Sequence, residues 1–509
     1  MPIRQFGPRV RYSATQSRSK QPQAQNSAPS TGETKKPVQA KTTRNRTNQG
    51  KVTPSGQKSP RSADLGLRRN APKPLPSHEA SKPSSLVSTR VVAAQPNTSS
   101  QKAWASVPIE SLKSPGVDQP TNCPTKQFAV GQRVTAKISG KIVQGKIQGF
   151  DYKGRAVVIG KDGQRRISEW NQIRPKGNKQ SVKSPYAGLS IDSVKKPPTK
   201  LAVALEQALD IKVTGDHRAR EYIDSLHNQG YSVFLCGGAI RDAIYVLNQN
   251  PKTPIAEIVE QLKDVDLVTD APPPVIRKTC EQIAPEYEGG AVWSPLMVEQ
   301  FGAVLVGGPK AGLENPEGLD IVSMRSAGMF DEQVENPDTG EKAFPFTFGG
   351  NLKADSKGRD FQCNSVYYDP YNKVIVDPDG VGISDAQDKF LRIAREGDSS
   401  KDDSLSLRYF KFRMRGYKTD QENLKKIQSH AKRSLWGPRW KVISNIARIA
   451  PKDAKSADEI DAFFSQLGEV MKADGCEKLF NKRVLKLKDD VTARIQKRFK
   501  NMNKQAEAK

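Results

Sequence analysis

The sequence predicts an α/β domain, a mixed sheet with helices, joined to a small SH3-like β-barrel and a C-terminal α-helical domain and preceded by a long disordered tail. Three observations carry this. An apolar strand, Tyr231 to Cys236, runs into Gly237-Gly238 and a helix, and two later apolar strands carry acidic residues. Four short β-rich runs crowd between Phe128 and Pro175. Residues 1–125 combine Ser, Pro, Gln, Asn and Thr with Lys and Arg and few aromatics, too little apolar surface to offset the entropy of ordering.

The totals agree. Only 35% of the 509 residues are hydrophobic and 35 are proline, so part of the chain is expected to be unfolded. The net charge of +27 sits at the ends: residues 1–125 hold 20 basic and 5 acidic side chains, and residues 421–509 hold 21 and 11. Two basic ends fit a polyanionic partner, because each neutralised phosphate releases counterions, or else a merely soluble surface. The five cysteines are scattered, with no C-x-x-C pair, and are expected as reduced thiols. Four histidines with none at i,i+4 spacing argue against zinc. No run of 18 apolar residues and no apolar stretch near Met1 predicts a membrane span or a signal peptide. A cytoplasmic protein is expected; the Arg- and Ser-rich, acid-poor start leaves organelle import open, and secretion without a cleavable signal is the other alternative.

Within the predicted barrel (128–176) the strands are Arg133 to Ile138, Lys141 to Gly149, Arg155 to Ile159 and Arg165 to Ser168, separated by turn residues. Val134, Ile138, Val143, Ile147, Val157 and Ile159 are the expected inner face. Such a module resembles SH3 and Tudor barrels in outline and fits RNA, a peptide or a purely structural role. Residues 177–200 read as a Pro/Lys/Ser linker, and Leu201, Leu205 and Leu209 open a helix leading into the α/β domain (201–400). Residues 401–509 read as a basic helical domain, with Val442, Ile443, Ile446 and Ile449, then Phe463, Phe464 and Leu467 at helical spacing, and a final helix from about Phe480.

The chemistry concentrates in the α/β domain. Strand, two glycines and helix is an arrangement that lets backbone N–H groups approach a phosphate at a helix N-terminus, with Arg241 adding charge; alone it also fits a plain tight turn. Asp264 and Asp266 then share one strand with period two and project from one face. Two such carboxylates repel unless a cation lies between them, the chemistry of a two-metal site. Asp320, alone inside the apolar run Leu319 to Arg325, is the candidate third acid, costly to bury unless metal or arginine pairs it.

Over roughly Tyr231 to Phe412 the chain resembles the class II tRNA nucleotidyltransferase and bacterial poly(A) polymerase head-domain family. Four motifs occur in the family's order: G-G-x-x-R-D (Gly237, Gly238, Arg241, Asp242), D-x-D (Asp264, Asp266), the acidic strand ending in arginine (Asp320, Arg325), and Arg359-Asp360-Phe361 with Asn364, similar to the family's R-R-D-F-T-I-N-A-L block. The runs Ile375 to Gly382 and Lys389 to Ile393 follow it too. The resemblance implies an α/β nucleotidyltransferase head, Mg²⁺ on Asp264, Asp266 and Asp320, and an NTP, ATP first among them, held by Gly237, Gly238, Arg241, Asp242, Arg359, Asp360, Asn364, Asp402 and Arg408. The departures lie where the family selects its base. Gly358 stands where the family pairs a second arginine with Arg359. Aligning Leu407 to Phe412 with L-R-x-x-R-F puts Lys401, Asp402 and Leu405 at the family's E-D-x-x-R element, so the templating arginine is missing and strict CCA addition is not implied. The helical part after the head is also shorter than the family's.

The expected function is template-independent transfer of a nucleotide from an NTP to an RNA 3′ end. Two alternatives stay open: a protein or small-molecule acceptor, and a catalytically decayed RNA-binding protein.

Overall fold

The computed structural model of the chain describes residues 104–113, 128–177, 184–214, 216–262, 265–284, 296–298, 302–306, 319–326, 334–335, 342–343, 347–394, 404–451 and 456–507. After a short strand β1 (Ala105–Ser106) come β2 (Arg133–Ile138), β3 (Lys141–Phe150), β4 (Ala156–Gly160), β5 (Arg165–Ser168) and β6 (Ile173–Pro175), an antiparallel sheet of order β5-β4-β3-β2-β6. Ser139 and Gly140, both at positive φ (50° and 73°), make the tight β2–β3 turn whose twist suits a hairpin. The inner face differs from the expected one in β4. Val134, Ile138 and Ile147 join the core, but there Ala156 and Val158 point inward in place of Val157 and Ile159. Ile147 stands opposite Val158, so alternation along β4 puts Ala156 and Val158 on the core face with it, while Val157 is buried on the other face.

The chain continues through β7 (Val194–Lys196), α1 (Thr199–Leu209), β8 (Lys212–Thr214), β9 (His217–Arg218), α2 (Ala219–Asn228), β10 (Val233–Cys236), α3 (Gly238–Gln249), α4 (Ile255–Gln261), β11 (Asp266–Thr269) and α5 (Pro273–Ile283). Then follow β12 (Leu296–Val298), β13 (Ala303–Val306), β14 (Leu319–Ser323), β15 (Val334–Glu335), β16 (Lys342–Ala343), α6 (Leu352–Ser356), β17 (Tyr367–Asp369), β18 (Val374–Val376) and α7 (Gly382–Gln387). Nine strands form one mixed sheet, β1-β7-β18-β17-β10-β11-β14-β13-β12, in which β11 and β14 run parallel and the other neighbours antiparallel.

Two sequence expectations are corrected by this sheet. The stretch read as a linker supplies β7, and Ala105–Ser106, from the stretch read as a disordered tail, pairs with it. Isolated apolar residues in polar surroundings provide the anchors: Val194 and Tyr186 are buried, and Val107, Ile109 and Leu112 pack against the same cluster. Residues 1–103 and 114–125 lie outside the described residues.

Alternation splits the sheet. Val233, Leu235, Leu267, Ile321, Tyr368 and Ile375 face the helices and join the large core, whereas Phe234, Cys236, Val268, Tyr367 and Val376 face a smaller cluster with Tyr186 and Leu352. The five-stranded sheet is sewn to the larger one at Phe150, whose backbone exchanges hydrogen bonds with Phe348 (3.1 and 2.9 Å).

Past the head lie α8 (Leu405–Arg413), α9 (Gln421–Leu435), α10 (Arg439–Ile449), α11 (Ala457–Ala473), helical turns over 477–487 and α12 (Lys488–Glu507). Asp420 caps α9, and Ser456 with Glu459 forms a capping box on α11, satisfying otherwise orphaned N–H groups. Helix α8 buries six of its nine residues, Leu405, Ser406, Leu407, Tyr409, Phe410 and Phe412. Its apolar residues share one core with the head and with α9–α11. Among the described residues no helix is long and apolar enough to cross a membrane.

Candidate active site

The site is built on the sheet face away from the large core. Strand β10 ends at Cys236, whose register partner on β11 is Asp266, and Asp266 is in turn paired with Asp320 on β14. Register partners on parallel strands point the same way, with backbones about 4.8 Å apart, so the two partly buried carboxylates stand side by side. Gly237 completes the row. It adopts φ 88° and ψ −148°, a conformation nearly confined to glycine, and a Cβ there would lie 2.9 Å from Asp266 Oδ2. Helix α3 begins at Gly238 immediately beyond it.

Two adjacent carboxylates are hard oxygen donors of the kind divalent magnesium takes, and their mutual repulsion falls when a cation joins them. The donor set thus fits such an ion. Asp264 lies outside the described residues, and among the described residues no group of three or more His, Cys, Asp or Glu clusters as metal ligands.

A guanidinium network borders the row. Arg359 grips Asp355 through Nε (3.0 Å) and Nη2 (2.9 Å), and the same Nη2 lies 3.4 Å from Cys236 Sγ, next to Asp266 in the sheet. Tyr367 Oη donates to Asp355 (2.8 Å), and so does the Arg325 backbone N–H (3.2 Å). Burial pushes the Asp355 carboxyl up, but Arg359, Tyr367 and Arg325 together hold it below the usual range. Burial pushes the Cys236 thiol up to about 12, so it is uncharged at neutral pH and serves as packing. Arg325 Nη1 donates to the Gly358 carbonyl (3.0 Å), and a Cβ at 358 would lie 3.0 Å from Arg325 Cδ. The glycine in place of a second arginine therefore makes room for Arg325.

A second network joins the head to α8. Asp360 accepts from its neighbour Phe361 N (2.9 Å) and Asn364 Nδ2 (2.9 Å), and its other oxygen pairs with Arg408 (2.6 Å). Asn364 accepts from Arg241 Nη1, and Arg241 Nε donates to Asp242 (2.8 Å). The Arg241 guanidinium lies 4.7 Å from the Phe412 ring centre and 5.7 Å from that of Tyr417. Only 1% of Arg241 is exposed. Its position thus differs from the one expected for a solvent-facing phosphate ligand, because α3 turns this residue toward α8 and the Tyr417 loop.

Of the residues singled out in the sequence, the structure brings Gly237, Gly238, Asp266, Asp320 and Arg359 to one sheet region. It gathers Arg241, Asp242, Asp360, Asn364 and Arg408 into the connecting network. Asp402, like Asp264, is outside the described residues. Sequence reasoning missed Asp355 and Tyr367; the i,i+4 spacing of Asp355 and Arg359 was the available signal.

Residues 233–392 match the model of the Poly A polymerase head domain. No curated protein sequence matches the chain. Among solved structures, the Thermotoga maritima CCA-adding enzyme complexed with tRNA is similar at TM-score 0.34 and 14% identity, covering 51% of this chain and 50% of that one. A tRNA nucleotidyltransferase complexed with a primer tRNA and an incoming ATP analog has TM-score 0.33 and 19% identity, covering 51% and 62%. The Bacillus stearothermophilus CCA-adding enzyme in complex with CTP has 0.29 and 17%, covering 54% and 68%. The chain thus spans about half the length of the first of these. Over 233–392, a stretch that includes both glycines, the acidic pair and the block from Arg359 to Asn364, this chain is similar to the poly A polymerase head domain.

Proposed function

We propose that the chain is a template-independent nucleotidyltransferase that moves a nucleotide from an NTP onto an RNA 3′ end. The observation that carries the reading is the in-register pair Asp266 and Asp320 on parallel strands beside Gly237-Gly238. In the reaction the RNA 3′-oxygen forms a bond to the α-phosphorus of the NTP, the bond to the bridging oxygen breaks, pyrophosphate leaves, and the hydroxyl proton passes to water. Asp266 and Asp320, with Asp264, would hold two Mg²⁺ ions, which when bound supply charge neutralisation at the reacting phosphate.

The remaining work falls to the chain's own groups. Gly237 and Gly238 leave the backbone open to the phosphates at the start of α3. Arg359, held by Asp355, offers its guanidinium charge beside the acidic row, preset by its ion pair and so at little cost in ordering. The network of Asp360, Asn364, Arg241 and Arg408 fixes α8 against the head. Leu405, aligned with the family's base-reading arginine, is wholly buried and offers no hydrogen-bonding group, which supports a base preference other than strict CCA addition. ATP is the first nucleotide to test. The five-stranded sheet is read as an SH3-like module and 404–507 as a basic helical region that helps to hold RNA.

The test incubates the full chain with Mg²⁺, a mixed RNA pool and each α-labelled NTP in turn, beside Asp266→Asn/Asp320→Asn. Label in RNA that disappears in the double variant supports the reading and names the base. Label in protein or in a small molecule, or none at all, overturns it.

A further inference from the structure

Two tryptophans stand out from the helical region. Trp436 follows the last residue of α9 and Trp440 lies in the first turn of α10, with Gly437 and Pro438 between them, and they are 56% and 70% exposed. Side chains of this size and apolarity are rarely left in water without a partner. The loop that carries them is pinned: Arg483 Nε donates to the Leu435 carbonyl (2.8 Å), its Nη2 to the Gly437 carbonyl (3.3 Å), and its guanidinium lies 4.7 Å from the Trp436 ring centre. That contact brings together the stretches 431–441 and 478–488, which hold nine Lys and Arg and no Asp or Glu. Lys432, Arg433, Arg439, Lys482 and Lys486 are exposed there; at the margin Arg439 pairs with Asp490 and Lys488 with Asp461 (2.7 Å).

We propose that this face binds single-stranded RNA, with bases stacked on Trp436 and Trp440 and phosphates neutralised by the surrounding cations. Indole rings accept the π-face of any base, and lysines and arginines around them attract the backbone without regard to sequence. A duplex keeps its bases stacked on one another and offers the rings none, so the surface favours single strands. Charge complementarity selects a polyanion over an apolar protein partner. The inference stands on α9, α10 and the 477–487 turns and not on the acidic pair, so it holds whether or not the chain transfers nucleotides.

The experiment uses the full chain and a labelled oligouridylate about twelve nucleotides long, a length that spans a typical site. Binding is read by fluorescence anisotropy at two salt concentrations, against a blunt RNA duplex of the same length. The expected result is tighter binding of the single strand. Trp436→Ala/Trp440→Ala should lose roughly tenfold or more in affinity, and Trp436→Phe/Trp440→Phe should retain most of it. The binding assay contains neither NTP nor Mg²⁺, so it reads contact without transfer, which separates this inference from the catalytic reading. Quenching of tryptophan emission by unlabelled oligouridylate, lost in the Phe pair, reads the contact without relying on the Ala pair. Unchanged affinity in the Ala pair, unquenched emission, or preference for the duplex would overturn the proposal. So would binding to phosphatidylserine vesicles that needs the tryptophans while RNA binding does not.

Discussion

Replacing Gly237 by alanine tests the geometry of the acidic row most directly, because two separable effects follow from one methyl group. The first is conformational: φ 88° with ψ −148° is a region other residues avoid, at a cost of about 1–3 kcal/mol. The second is local. The new Cβ would lie 2.9 Å from Asp266 Oδ2, inside van der Waals contact, and the carboxylate, as the end of a side chain, is what gives way. A displacement of a few tenths of an ångström costs little energy but moves a group that must be placed accurately, and a tenfold to hundredfold loss in rate is expected. Gly380→Ala is the control, since Gly380 also has positive φ (73°) but a Cβ there meets nothing within 4 Å. It should lose about 1 kcal/mol and keep its rate. Urea unfolding and initial rates of label transfer measure the two effects. A Gly237→Ala variant with parental stability and rate would refute the reasoning, as would Gly380→Ala losing the same share of activity.

Three further outcomes follow from the packing. Burial pushes the Asp385 carboxyl up to about 6 against an opposing Arg392, from an ordinary 3.8, so the folded chain keeps a proton that the unfolded chain releases. Stability should therefore fall by at most about 3 kcal/mol as pH rises from about 4 to about 6 and level off above, and urea unfolding across that range should show the slope flattened in Asp385→Asn. Asp474→Ala removes the partner of Arg413 (2.8 and 2.9 Å) and of Tyr409 (3.0 Å) between α8 and the end of α11, and should cost about 3 kcal/mol in the same assay. Phe150→Ala empties the space over Gly349 and Phe348, should cost about 3–4 kcal/mol, and should make cleavage within the five-stranded sheet faster than in the parent under limited proteolysis.

Local pattern sufficed where a residue's role depends on its own neighbours in sequence. The hairpin strands Arg133–Ile138 and Arg165–Ser168 fall where turn residues and β-branched runs put them, and the strand–Gly–Gly–helix unit does too. Where the outcome depended on pairing, pattern fell short. Whether Val157 or Val158 joins the barrel core hangs on which of them stands opposite Ile147 in the neighbouring strand, and nothing within Arg155 to Ile159 reports it. The strand Val194–Lys196 is too short and too basic to be read as sheet until β1 and β18 lie on either side.

The candidate site divides the same way. The sequence by itself determined which groups are available: two glycines, acids on apolar strands, and Arg359 four residues after Asp355, since residue type and spacing are local properties. Only the tertiary structure decided which of them meet. It set Asp266 level with Asp320 across a parallel pair, turned Arg241 away from solvent onto Phe412 and Tyr417, and filled the space beside Gly358 with Arg325. Each of these rests on contacts between residues far apart in the chain. Such contacts are fixed by strand register and by the packing of one shared core, and no short stretch of sequence specifies either.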